Sequence, residues 1–324
     1  MKIMYTISMI LPYFTRETGK WPNYIDWHLA SCEANPSVDF YIFTDSYYID
    51  KWDKVKNIHI THMTFEQCVS LFKEKLGADI VLDRPYKLTD YKPTYGVVFS
   101  EWIKDADFWG FYDCDTLLGN LRNYYTDELL GKYDKLMVLG QFQLFRNRYD
   151  VNHYYCLDRS PQSHYYLYRW ENVCHNSTHY GYDEGRGVPI LLREHGIDQF
   201  WDMKSFANIH QPSYYKHVFD KNVACNRPFQ VWHWSSSQGL HHIDMLTKKK
   251  TEKTFIHFTE REMNCEMYDG QKEIYVTQKS EFKTTIRFRD SLTGGEYIVL
   301  MMKKIFVWIG WHITHLKGKK EWEM

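Results

Sequence analysis

Apolar residues near the start of the chain come in short dense runs, each halted by a polar or turn-forming residue. Met4 to Leu11 (MYTISMIL) stops at Pro12, and Phe40 to Thr44 (FYIFT) stops at Asp45. Asn57 to Thr61 is a third such run. Runs of this length, rich in β-branched and aromatic residues, predict buried strands. Stretches with helical spacing separate them: 24–34, closed by Asn35-Pro36, and Thr64 to Leu76. Thr94 to Lys104 then reads as a helix and 107–112 (DFWGFY) as a central strand. Lys135 to Gly140 follows as a strand, with Gln141 to Asn147 as its return. The alternation predicts an α/β fold, with a Rossmann-like, mostly parallel central sheet and helices on both faces. Ligands of such sheets bind beyond the carboxyl ends of the strands, so chemistry is sought just after each run.

Beyond residue 147 the pattern weakens. Residues 148–185 are rich in Tyr and His and read as irregular structure over the sheet's active edge. Residues 186–200 look helical, and Phe229 to Trp234 and Thr254 to Phe258 look like short strands. No internal repeat or long linker divides the chain, so one domain over 1–290 with a segment 291–324 behind it is the simplest organisation. That segment, EYIVLMMKKIFVWIGWHITHLKGKKEWEM after Gly294-Gly295, is interrupted by Lys303, Lys304 and Gly310 and followed by Lys317, Lys319 and Lys320. It is too broken to span a bilayer. Phe306, Trp308 and Trp311 beside lysines suit an amphipathic helix lying in the headgroup region. A helix docked on the domain or in a dimer would show the same pattern, and the oligomeric state stays open.

Composition narrows the function classes. With 324 residues, 44% of them hydrophobic, the chain can bury a full core. A net charge of -1 leaves no whole-protein field to attract nucleic acid. Aromatic residues make up 18%, a content suited to stacking on sugar rings and nucleobases, and equally to plain cores. Seven scattered cysteines without a CxxC pair argue against a zinc ribbon or disulfide framework and for a reducing compartment. The apolar run at Ile3 to Leu11 is too short for a spanning helix and lacks a cleavage site, so a cytoplasmic location is expected.

The sharpest chemical signal is Asp113-Cys114-Asp115, directly after the apolar WGFY run. Two carboxylates on a turn at a strand end give hard oxygen ligands to Mg²⁺ or Mn²⁺, leaving positions for phosphate oxygens. A solvated turn would carry the same residues. Upstream, Tyr86 to Pro93 (YKLTDYKP) sets two lysines around an aspartate in a loop opening a helix, a pattern that favours phosphate or is merely surface charge. His257, between apolar neighbours in FIHF, is either a core histidine or a further metal ligand.

The segments Lys87 to Gly96 (KLTDYKPTYG) and Asp107 to Asp115 (DFWGFYDCD) together resemble a family of bacterial capsular and surface-polysaccharide glycosyltransferases of the GT-A type. Leu11-Pro12-Tyr13-Phe14, Leu144 to Asn147 and Ile256 to Met263 fit it as well, so the resemblance runs to about residue 265. It implies a GT-A fold, a UDP-sugar donor and Mn²⁺ or Mg²⁺. Asp113 would touch donor and metal, with Asp115 and His257 as the other ligands. Leu11, Pro12, Tyr13 and Asp45 would hold the uridine, although Asp45 also reads as a helix cap. Lys92 would steady the diphosphate or simply pair with a carboxylate. Gln141 stands where relatives are expected to carry histidine, which removes an acid–base group.

Asp183 or Glu184 is the catalytic carboxylate of the reading. Such a group orients the acceptor, serves as base in an inverting enzyme, or is an ordinary helix-starting acid. Trp232-His233-Trp234 offers a stacking wall or core packing. The expected activity is transfer of galactose or glucose from a UDP-hexose to a polyprenyl-diphosphate-linked saccharide, with retention, at the inner face of the bacterial cell membrane. A metal-dependent nucleotide-sugar hydrolase and a non-catalytic, membrane-bound carbohydrate-binding protein are the alternatives.

Overall fold

A computed structural model describes residues 4–15, 20–209, 228–259, 263–265, 267–299, 301–303, 305, 306 and 309. The chain forms two compact units. The first comprises Met1–Trp21, Asn35–Cys114 and Arg122–Asp202, and the second Pro22–Ala34, Asp115–Leu121 and Met203–Met324. Segment 291–324 therefore counts with the second unit, whose other pieces lie within 1–290.

The first unit is built on β1 (Ile7–Tyr13), β2 (Val38–Thr44), β3 (Ile58–His62) and β4 (Phe108–Tyr112). The chain then leaves for β5 (Thr116–Leu118) of the second unit and returns for β6 (Lys135–Leu139) and β7 (Phe142–Arg146). The sheet order is β3-β2-β1-β4-β7-β6. β1 to β4 run parallel, and β7 is antiparallel to both β4 and β6. This is the mixed α/β class with a mostly parallel sheet that the alternation predicted. All five residues of β4 are buried, as befits a central strand of the sheet, between β1 and β7.

Helix α2 (Phe65–Leu76) starts on a capping box in which Thr64 and Gln67 bond each other's backbone amides. The helix predicted over 94–104 is instead two short turns, Tyr95–Val98 and Ser100–Ile103, after a 3-10 turn at Lys92–Thr94. Pro93, Gly96 and two valines disfavour a continuous helix. Gly96 is required by packing, because a Cβ there would lie 2.4 Å from the Trp109 indole. Trp109 in turn stacks on Phe145 at 4.6 Å. Residues 148–185, expected to be irregular, carry short helical turns at Tyr149–Asn152, Tyr154–Cys156, Tyr166–Tyr168 and Trp170–Cys174, and buried Arg159 ties part of them down. Arg159 bonds Glu194 and the carbonyls of Tyr165, Tyr168, Arg186 and Gly187.

In the second unit, helix α1 (Ile25–Glu33) buries every residue from Ile25 to Cys32. The strands are β8 (Ala207–Asn208), β9 (Gln230–Ser235), β10 (Gly239–Asp244), β11 (Lys250–Lys253), β12 (Phe255–His257), β13 (Glu273–Thr277) and β14 (Phe282–Lys283). They form a β5-β12-β8 sheet and an antiparallel β11-β10-β9-β13-β14 sheet. Trp27 packs edge-on against Trp234 and Tyr268. Trp232 and Trp234 are 0% and 1% exposed, so they are core residues, and the stacking wall is corrected to packing.

Cys68, Cys156, Cys174 and Cys265 are free thiols, and Cys225 lies outside the described residues. Of the tail, Lys304, Trp308, Gly310, Trp311, Lys317, Lys319 and Lys320 lie outside them as well. Among the described residues no helix is long and apolar enough to cross a membrane.

Candidate active site

The strand order reverses between β1 and β4, so the carboxyl ends of these two strands flank a topological switch point of the first unit. Leu11, Pro12 and Tyr13 are the last residues of β1 itself, paired with Ile42, Phe43 and Thr44, and not a loop beyond it. Pro12 is tolerated because it sits near the strand's end. Tyr13 stacks on Trp21 at 4.1 Å. Asp45, just past β2, accepts hydrogen bonds from the Thr15 amide at 2.8 Å and its hydroxyl at 2.9 Å. It ties the ends of β1 and β2 together.

Asp113 follows β4, and its amide donates to the Gln141 carbonyl at 3.2 Å. The Lys92 ammonium lies 2.6 Å from Asp113 and 3.2 Å from Asp183, and donates to the Gly140 carbonyl at 2.8 Å. Burial alone would lower the lysine's pKa, but two carboxylates outweigh it, so Lys92 stays firmly charged. One cation cannot neutralise both carboxylates. Asp183 is the deeper, with a side chain 6% exposed against 30% for Asp113. Burial, with Glu184 and Asp113 adding to it against the pull of Lys92, pushes the Asp183 carboxyl up to about 7. Glu184 is exposed and accepts the Gly140 amide at 3.1 Å. A Cβ on Gly140 would stand 2.6 Å from Asp183 Oδ2, so only glycine leaves room for this carboxylate.

The upstream lysines part company. Lys87 is fully buried, 2.8 Å from Asp90 and bonded to the Thr178 carbonyl at 2.6 Å, so it does not face a phosphate. Lys92 pairs with carboxylates, as one of its two sequence readings had it.

In the second unit β12 pairs antiparallel with β5, setting His257 opposite Thr116. The Phe258 amide extends that ladder to the Asp115 carbonyl at 2.8 Å. This register brings two residues 142 positions apart (257 − 115) into contact. His257 Nε2 lies 3.1 Å from Asp115 Oδ2. Its Nδ1 donates to Asn208 Oδ1 at 3.1 Å. Beneath them, buried His28 donates from Nδ1 to the Thr116 carbonyl at 2.7 Å, and burial pulls its pKa down to about 4.

Two residues that bear on the site escaped the sequence reading. Asn208 sits on a two-residue strand without periodicity, and Gly140 looked like an ordinary strand end. A Gly directly before Gln141 at the end of a β run was the one available signal for the second.

Residues 9–285 match a family described as a family of unknown function (DUF6625), and the chain belongs to that family. No curated protein matches it by sequence. Among solved structures it is similar to the galactosyltransferase LgtC in complex with donor and acceptor sugar analogs. That match has 12% identity, covers 78% of this chain and 86% of that one, and has a TM-score of 0.40. The bifunctional glycosyltransferase WbbM matches at 9% identity over 80% of this chain and 46% of its own, TM-score 0.45. Mouse xyloside xylosyltransferase 1 matches at 9% over 78% and 97%, TM-score 0.41. Likenesses of this strength assign no chemistry to this chain.

Proposed function

We propose that this member of the family is a metal-dependent glycosyltransferase of the GT-A type, with Asp113, Asp115 and His257 as the ligands of a divalent cation, Mn²⁺ or Mg²⁺. The observation that carries the proposal is the setting of His257. Both ring nitrogens face oxygen acceptors, Asn208 Oδ1 and Asp115 Oδ2, each at 3.1 Å. A neutral imidazole has one N–H for the two. With that proton on Nδ1, the Nε2 lone pair confronts a carboxylate, and a cation between them turns repulsion into ligation. A ligating histidine whose other nitrogen is held by a side-chain oxygen is a common arrangement. Asp113 is two residues from Asp115, at most about 7 Å away along the backbone. A bound cation would supply charge neutralisation for a departing nucleoside diphosphate.

The remaining roles fall to the chain's own groups. Tyr13, Leu11, Pro12 and Asp45, at the ends of β1 and β2, would contact the uridine of a UDP-hexose. Lys92 holds Asp113 in place and adds positive charge near the diphosphate. Asp183, whose carboxyl ionises near neutrality, would contact the acceptor hydroxyl, with Glu184 beside it. Transfer of galactose or glucose with retention, by front-face departure of the diphosphate, fits a site without a histidine at Gln141.

The acceptor is proposed to be a polyprenyl-diphosphate-linked saccharide of capsular or surface-polysaccharide synthesis, met at the inner face of the cell membrane. Support comes from the described residues beyond Gly295, among which Ile298, Val299, Met302, Phe306 and Ile309 are exposed at spacings that would form one apolar stripe on a helix. The deciding experiment is a panel of UDP-sugars with Mn²⁺, with and without detergent-solubilised lipid acceptor. Mn²⁺-dependent transfer to the lipid supports the proposal. Turnover indifferent to any acceptor would favour a hydrolase, and no turnover or UDP binding at all would leave a carbohydrate-binding protein.

A further inference from the structure

The segment from Lys87 to Lys92 grips the Asp183 loop at two points, and only the second belongs to the site described above. The first is Asp90. Its Oδ2 accepts the Tyr180 amide at 2.9 Å, and its Oδ1 accepts the amides of Tyr180 at 3.1 Å and Tyr182 at 2.9 Å. Lys87 neutralises it at 2.8 Å and also bonds the Thr178 carbonyl at 2.6 Å. Both side chains are 0% exposed. Two residues further on, Lys92 reaches the Asp183 carboxylate at 3.2 Å. The backbone on both sides of Gly181 is thus fixed from position 90, and the next carboxylate is fixed from position 92.

A buried ion pair is poor evidence for stability, since apolar residues of similar volume often serve as well. What a carboxylate does supply is direction, because charged acceptors bond backbone N–H groups strongly and with defined geometry. The loop needs that direction. Gly181 and Gly185 have φ of +62° and +53°, with open space where a Cβ would be. Other ties close by include the Gln143 side chain on the Asp183 carbonyl at 2.5 Å, the Val188 amide on the Tyr182 carbonyl at 2.8 Å, the Tyr182 hydroxyl on the Tyr155 carbonyl, and the Glu184 carboxylate on the Gly140 amide at 3.1 Å.

We propose that Asp90, with Lys87 as its counter-ion, is a positioning residue: it fixes the Tyr180–Tyr182 backbone so that the Asp183 carboxylate meets Lys92. This rests on the reading of Asp183 as the acceptor-contacting group. The test is the paired substitution Lys87→Met with Asp90→Val, which removes both charges and leaves apolar side chains in their place. UDP release is assayed from UDP-galactose and UDP-glucose with Mn²⁺ and lipid acceptor. The expected result is a kcat lowered about tenfold or more, as for any misplaced catalytic contact. The donor KM should stay within about twofold. In an Asp183→Asn background the same pair should change kcat by less than about twofold, since it acts through the group already lost. An unchanged kcat, or losses that multiply in the Asp183→Asn background, overturns the proposal.

Hydrogen exchange on the unsubstituted protein gives a second answer that needs neither folding of the variant nor turnover. The Tyr180 and Tyr182 amides should exchange about 100-fold more slowly than an open loop allows. Exchange at open-loop rates would refute the clamp. A protein that turns over neither donor fails as a transferase while the exchange result still judges Asp90.

Discussion

His257 directs Nε2 at the Asp115 carboxylate from 3.1 Å, while its opposite nitrogen is held by Asn208 at 3.1 Å. The three residues come from β12, the turn before β5, and β8, neighbours in one sheet. In the proposed metal site Asn208 would orient the imidazole of His257, as a side-chain oxygen does behind a ligating histidine. Asn208→Ala is expected to weaken Mn²⁺ binding about 10- to 100-fold. Calorimetric titration of the purified variant with Mn²⁺ measures it, and an unchanged affinity would remove Asn208 from the site.

Lys92 lies within reach of two carboxylates of the first unit's site, buried with Asp183 and beside the part-exposed Asp113. Lys92→Met would take away the ammonium that Asp113 and Asp183 share and leave the repulsion between the two carboxylates less offset. The expected loss is about 3–5 kcal/mol of stability, the usual consequence of breaking a buried pair from one side. Denaturant titration at neutral pH reads it. Acidification should recover part of the loss, because protonating Asp183 removes the repulsion.

Gly140→Ala forces a methyl to within 2.6 Å of Asp183 Oδ2. The carboxylate must swing off Lys92. Activity is expected to fall by about 100-fold, as for a roughly 1 Å misplacement of a catalytic group. Steady-state kinetics beside a thermal melt would show kcat falling with little change in melting temperature.

His28 gives the fold a pH signature. Its folded pKa, about 4, is below the model-peptide 6.5 because burial disfavours the imidazolium. The unfolded chain binds the proton more readily, so stability falls as pH drops from 6.5 towards 4 and is fully present above that window. The shift corresponds to about 3 kcal/mol. Chemical denaturation from pH 7 to 4 should show the decline, and His28→Leu should flatten it even if less stable at pH 7.

The first unit was legible because its central strands are largely buried apolar runs. FYIFT and DFWGFY announce themselves, and the DCD after the second follows from where parallel strands present ligands. The second unit was legible in part: helix α1 and strands β9 and β12 were read, and the other strands were not. β10 and β11 read GLHHID and KTEK, and their polar alternation hides strands that only antiparallel pairing reveals. The tie between Asp115 and His257 joins residues 142 positions apart (257 − 115), and no local spacing encodes it. Lys87 and Lys92 looked equivalent in sequence, yet burial gives one a structural partner and the other two carboxylates. Pro12 suggested a stop, but β1 runs through it to Tyr13 because a proline near a strand's end disturbs few ladder bonds.

The most direct test of the account is calorimetric binding of UDP with Mn²⁺ and with EDTA, in the unsubstituted protein and in Asp115→Ala. The prediction is UDP binding that requires Mn²⁺ and disappears in the variant, while circular dichroism shows the fold intact. UDP bound equally well in EDTA, or by the variant with Mn²⁺, would contradict it.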